Sequence, residues 1–181
     1  MKKIVAAVLL SAVAGSAFAA DQGIYVGATL GSGKPGLNST AGMNKTSEFV
    51  YGGLVGYKFS RNLAAEASFT GIGKVTDLVG NTAKGDAFTL SAVGTLPVTS
   101  SFDLYGKLGF SSSKTTSASA AIGAGTTRTG LSYGIGGQYN VSNSVGVRFG
   151  WDSYPIATLN ALGGKTNVNA SVISAGVVVN F

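Results

Sequence analysis

The sequence predicts an all-β chain: an eight-stranded antiparallel up-and-down β-barrel that crosses a membrane. Three observations point there. Eight segments of about ten to fourteen residues alternate apolar and polar positions. The connections between them alternate short and long. Charged residues make up only 11% of the 181-residue chain, yet no stretch beyond the first twenty residues is apolar for long enough to be a membrane helix. Alternation is how apolar strands cross a bilayer without a continuous apolar run.

The first residues, MKKIVAAVLLSAVAGSAFAA, read as a signal peptide. Lys2 and Lys3 form a basic start, Ile4 to Val13 an apolar core, and Ala17-Phe18-Ala19 a small-residue cleavage pattern, which places cleavage after Ala19. The apolar core is shorter than the roughly 20 residues a spanning helix needs. Residues 1–19 are thus read as the signal peptide and 20–181 as the barrel domain.

The eight segments follow in order. Gln22–Gly31 sets Ile24, Val26, Ala28 and Leu30 against Gly23, Tyr25, Gly27 and Thr29. Ser47–Phe59 sets Phe49, Tyr51, Val55, Tyr57 and Phe59 against Val50, Leu54 and Lys58. Leu63–Ile72 sets Leu63, Ala65, Ala67 and Phe69 against Ala64, Glu66, Ser68 and Thr70. Lys84–Leu96 gathers Phe88, Leu90, Ala92 and Leu96 on one face. Phe102–Ser112 opposes Leu104, Leu108 and Phe110 to Asp103, Tyr105 and Lys107. Arg128–Asn140 opposes Leu131, Tyr133, Ile135 and Tyr139 to Ser132, Gly134, Gly136 and Gln138. Val145–Tyr154 opposes Val147, Phe149 and Trp151 to Arg148 and Asp152, and Val168–Phe181 opposes Ile173, Ala175, Val177 and Val179 to Val172, Ser174 and Val178. A period of two over such lengths means strands. A tilted strand of roughly 9–11 residues spans a bilayer.

Short turns follow the second, fourth and sixth segments, at Ser60–Asn62, Pro97–Ser101 and Val141–Ser144. Long loops follow the first, third, fifth and seventh, at Ser32–Thr46, Gly73–Ala83, Ser113–Thr127 and Pro155–Asn167. This rhythm is the outer-membrane pattern, with short turns and both termini periplasmic and four long loops extracellular. Pro35 and Pro155 are read as loop residues and Pro97 as a turn residue. Soluble eight-stranded barrels also alternate, but they place the bulky face inside. Here one face is bulky and the other is small and polar, and an eight-stranded interior is narrow. The bulky face therefore suits lipid. Tyr57, Phe59, Phe102, Tyr139 and Phe181 are placed in the turn-side aromatic girdle, with Tyr51, Phe69 and Trp151 toward the loops.

Composition also excludes chemistry. The chain has no Cys and no His, which removes disulfides, thiol catalysis and the commonest general base and metal ligand. Asp86, Asp103 and Asp152 are read as single carboxylates on different strands, and neither Asp77 with Asn81 nor Asp21 makes a metal constellation. No catalytic site, metal or cofactor is expected. The formal charge of +6 falls to +4 without Lys2 and Lys3, and no basic cluster indicates nucleic acid.

Leu90–Phe110 (LSAVGTLPVTSSFDLYGKLGF), with IYVGATLG, VGYKFSRNLAAEASF and YNVSNSVGVRFGW at matching places, resembles the OmpA transmembrane domain. The resemblance covers nearly the whole chain after residue 19. It implies an interior charge network: Glu66 and Arg148 match an inward Glu and Arg, and Lys107 an inward basic residue. Val93 stands where the family has an inward Lys, and Gln138 where it has an inward Glu. The network is thus expected as Glu66, Lys107, Arg148 and Gln138, with one of two charge pairs neutralised. The ending VVVNF, with Val177, Val179 and Phe181, resembles the signal read by the barrel-assembly machinery. Proteins of this family usually continue into a peptidoglycan-binding domain, and that function is not carried over to a sequence ending at Phe181.

The functional expectation is a non-enzymatic integral outer-membrane protein, monomeric, with a structural, membrane-integrity role. Its partners would be outer-membrane lipids, lipopolysaccharide and the assembly machinery. One alternative is a narrow porin or ion channel gated by the Glu66–Arg148 pair. Another is an adhesin or receptor acting through the loops. Interior width, more than charge, sets conductance, which favours a plug over a gate. The loops carry few aromatic or Arg anchors, which disfavours the adhesin.

Overall fold

A computed structural model describes residues 22–35, 48–76, 82–117, 126–159 and 165–181. The expected signal peptide, Asp21, Asp77, Asn81 and the centres of the four long loops lie outside the described residues. Among the described residues the chain forms eight strands: β1 (Gly23–Pro35), β2 (Glu48–Ser60), β3 (Leu63–Thr76), β4 (Thr82–Pro97), β5 (Phe102–Ser117), β6 (Thr126–Asn140), β7 (Val145–Leu159) and β8 (Lys165–Asn180). Each pairs antiparallel with its sequence neighbour, and β1 pairs with β8 to close the barrel. Closure leaves no sheet edge unpaired in the apolar zone, the condition for β-structure in lipid.

The bulky face points outward. Leu30, Leu90, Leu96, Phe110, Ile135 and Ile173 each leave 60% or more of their surface exposed, which in water would be a large unfavourable apolar area. Tyr57, Phe59 and Tyr139 are exposed near the turns, where Tyr57 and Phe59 pack edge to face at 5.3 Å. Phe102 and Phe181 are half-buried, and Phe102 stacks with Phe149 at 6.1 Å. Toward the loops, Tyr51 and Phe69 are exposed and Trp151 meets Tyr133 edge to face at 5.8 Å.

The turn side is knit into a continuous rim. Thr95 N–H donates to the Asn62 carbonyl (2.8 Å), Asn140 N–H to that of Ser101 (2.8 Å), Asn180 N–H to that of Ser144 (2.7 Å) and Phe181 N–H to that of Ile24 (2.9 Å). Hydroxyl groups shape the turns themselves: Ser142 Oγ accepts from the amides of Ser144 (3.3 Å) and Val145 (3.1 Å). Such local side-chain bonds are why Ser and Asn concentrate in turns.

Three expectations need correction. The strands run further toward the loops than the alternation showed; β5, for example, continues to Ser117 and β7 to Leu159. In β5 the extension Ser113–Ser117 is Ser, Lys and Thr throughout, and in β7 it opens on Pro155, so the period-two signal fades while the backbone ladder continues. The prolines were placed in loops and a turn, but Pro35 and Pro97 end strands and Pro155 lies within β7, paired in register with Asn169. The β6–β7 ladder stops at Tyr133↔Ser153, so a missing N–H beyond it breaks no bond to β6. The Pro155 ring fills that seam against Gly130, where an added Cβ would lie 3.1 Å from Pro155 Cβ. Finally, the interior is not uniformly small and polar. Tyr25, Val93 and Val178 are buried inside with Ala64 and Tyr105, and Val50, Tyr154 and Val172 form a second buried apolar cluster.

Candidate functional site

The charged interior residues meet at mid-barrel. Even-numbered residues of β3 and β7 face inward, which aims Glu66 and Arg148 at each other across the lumen. Arg148 Nη1 donates to Glu66 Oε2 at 2.5 Å, and the Tyr25 hydroxyl donates to the same oxygen at 3.0 Å. Glu66 is 1% exposed, so this carboxylate is held by directed donors in place of water. Lys107 Nζ lies 3.7 Å from Glu66 Oε1 and 2.9 Å from Asp152 Oδ1. Glu66 Oε1 itself has no hydrogen-bond partner.

Gln138, the neutral residue at the position of a family Glu, is the cross-strand neighbour of Arg148. Its Oε1 accepts from Arg148 Nε at 3.2 Å, and its Nε2 donates to Asn140 Oδ1 at 2.8 Å. Asn140 Nδ2 then donates to Asp103 Oδ2 at 2.7 Å. An unbroken chain of bonds thus runs from Glu66 at the centre to the turn-side mouth. Beside it Lys58 Nζ donates to Asn180 Oδ1 at 2.7 Å.

Two tyrosines cover the guanidinium. Arg148 Cζ sits 4.6 Å from the Tyr105 ring centre and 5.5 Å from that of Tyr25. Such stacking suits a weakly hydrated, planar cation. Glycines make room for the rings. A Cβ on Gly56 would collide with the Tyr25 ring, and one on Gly136 would collide with the Tyr105 hydroxyl, which donates to the Phe149 carbonyl at 3.2 Å.

The structure brings Glu66, Lys107, Arg148 and Gln138 into one cluster and places Val93 in the adjoining apolar cluster. Asp152, read from sequence as a single carboxylate, is Lys107's nearer partner. Register explains the link: Lys107 is opposite Gly134, and Gly134 is opposite Asp152. With no side chain on Gly134 the lysine reaches across β6. The tyrosines were also missed as site residues. Only the row of cross-strand neighbours could have pointed to either. Two carboxylates and two cations leave the layer formally neutral. Among the described residues no group of three or more metal-ligating side chains forms.

Val177 is exposed on the outer wall, Val179 pairs with Val26 and Val145, and Phe181 N–H completes the rim. The proposed assembly residues thus lie along the strand that closes the barrel.

A closed eight-stranded barrel with an apolar wall and a charged, filled interior defines a bacterial outer-membrane β-barrel protein. The model of the outer membrane protein beta-barrel domain matches residues 5–181, and the chain belongs to that family. No curated protein matches the chain in sequence. Among solved structures it is similar to Neisserial surface protein A, at 22% identity over 87% of this chain and 97% of that one, with a TM-score of 0.71. It is also similar to the N-terminal barrel of Pseudomonas aeruginosa OprF, at 16% identity over 89% and 99%, with a TM-score of 0.63. The Yersinia pestis attachment invasion locus protein Ail aligns at 17% identity over 89% and 98%, with a TM-score of 0.59. At such identities these likenesses speak to the fold.

Proposed function

We propose that this protein is a monomeric, non-enzymatic, closed outer-membrane barrel with a structural role in membrane integrity. Its termini and short turns face the periplasm, and its four long loops face outside. The lipid wall contacts outer-membrane lipid and lipopolysaccharide, and the Val177, Val179 and Phe181 face of β8 engages the barrel-assembly machinery during insertion. The observation that carries the closed state is the neutral charge layer. Arg148 is tied to Glu66 and Gln138 and lies against two tyrosine rings. Breaking such a buried pair leaves an uncompensated charge, which opposes opening. Gln138 and Val93 offer neither the acid nor the base of a second charge pair, so Arg148 has no alternative carboxylate at position 138 to swing to.

Planar-bilayer recording of the refolded protein tests this reading. A closed barrel gives no reproducible single-channel steps. Discrete steps of constant size would favour the narrow channel instead.

A further inference from the structure

The basic residues are dispersed along the sequence, but the fold gathers them at one end. In the charge layer, Glu66 and Asp152 balance Lys107 and Arg148. On the turn side Lys58 and Arg61 are set against Asp103. At the loop-side ends of the described strands stand six basic residues, Lys34, Lys74, Lys84, Lys114, Arg128 and Lys165, against two acids, Glu48 and Asp86. The excess of positive charge thus lies almost wholly at the loop end.

Three of these lysines stand at one height relative to the apolar wall. Exposed Leu30, Phe88 and Phe110 are the last bulky outer residues toward the loops on β1, β4 and β5. Beyond each, alternate positions run through a polar residue to a lysine: Leu30, Ser32, Lys34 on β1; Phe88, Asp86, Lys84 on β4; Phe110, Ser112, Lys114 on β5. Lys114 is exposed. Four residues of strand cover about 13 Å, or about 9 Å along the axis of a barrel tilted about 45°. A headgroup layer is roughly 5–8 Å thick on each side of the hydrocarbon, so these positions reach its phosphates, and a lysine stem can lie along apolar surface while its ammonium stays in that layer.

We propose that Lys34, Lys84 and Lys114 form a belt that binds the phosphate groups of anionic lipid in the outer leaflet. The occupant follows from the placement around the barrel. Lys84 and Lys114 are on neighbouring strands, with Asp86 opposite Lys114 in register, while Lys34 is three strands away from β4. A lipid annulus surrounds the wall and meets both places at the same height. A soluble polyanion would have to pass around or across the mouth to do so. Asp86 is the acid of this belt and opposes its own ligand. The inference rests on the reading that the loop end faces outside, and it names the lipid chemistry met there.

The test titrates the full barrel, folded in neutral detergent, with single lipids and counts bound molecules by native mass spectrometry. Bisphosphorylated lipid A should bind at least about tenfold more tightly than phosphatidylcholine, less so as salt rises. Lys34→Gln with Lys84→Gln and Lys114→Gln should weaken lipid A binding at least about tenfold. Asp86→Asn should tighten it at least about twofold, and this variant carries the test if the triple variant fails to refold. Arg61→Gln with Lys165→Gln removes charge at the turn side and, on β8, eight residues beyond Ile173; it should stay within about twofold of wild type. Equal binding of the two lipids, no loss in the triple variant, an equal loss in the control, or weaker binding by Asp86→Asn would overturn the proposal. So would soluble polyphosphate binding as tightly as lipid A and depending on the same three lysines. Detergent binding is read without regard to orientation. Protease access to the loops on intact cells reads the orientation separately, so the two failures are distinct.

Discussion

Arg148 is the residue on which most of the interior depends. Its guanidinium serves Glu66 and Gln138 and rests on Tyr105 and Tyr25. Arg148→Ala removes all of these and strands Glu66 in the core, leaving Lys107 at 3.7 Å as its remaining cation. Urea unfolding in lipid vesicles should show a loss of about 3–5 kcal/mol, the usual cost of breaking a buried pair. Adding Glu66→Gln to Arg148→Ala should recover part of that loss, because the stranded charge is gone. A double-mutant cycle with no coupling would contradict the pairing. Inward placement of Glu66, Lys107 and Arg148 was legible from the period of two alone. Asp152 shares the Arg148 face by the same period, but its pairing with Lys107 was not legible, because that bond depends on the register of β5, β6 and β7, and register is a property of three segments together.

At the scale of elements, the β6–β7 seam stands apart. The ladder between these strands ends at Tyr133↔Ser153, whereas β7 and β8 stay paired to Leu159↔Lys165. Pro155 and Gly130 fill the seam by packing in place of hydrogen bonds. Amides of Gly130–Ser132 that point toward β7 should therefore exchange with solvent deuterium faster than those of Tyr133–Asn140, which are bonded on both sides. Uniform protection along β6 would contradict the early end of the ladder. The sequence signal for this seam was Pro155, and it was read as a loop residue because proline cannot donate to a central ladder. The strand ends beyond the apolar band were also invisible in the pattern, because Ser113–Ser117 of β5 does not alternate and Pro155 of β7 reads as a break, while pairing there is carried by backbone groups. The short turns, by contrast, were legible nearly to the residue, since Ser, Asn and Pro in a tight connection have few conformations to choose from.

For the whole molecule, strand count, closure and the outward bulky face follow from alternation plus the rhythm of connections, and the observed closed order β1 to β8 agrees with both. What alternation could not supply is the layering of the interior. Val172 and Val178 sit among other valines and Ile173 on β8, so both faces of that strand read as apolar, and the inner apolar clusters appear only when several strands are brought around the lumen.

The central claim, a closed membrane-embedded barrel, is tested most directly by heat modifiability on a gel after refolding in detergent. The account predicts that the unboiled protein migrates as a distinct band from the boiled chain, with a β-sheet circular dichroism spectrum in the same detergent. Identical migration with and without boiling, together with no β-structure in the spectrum, would contradict it.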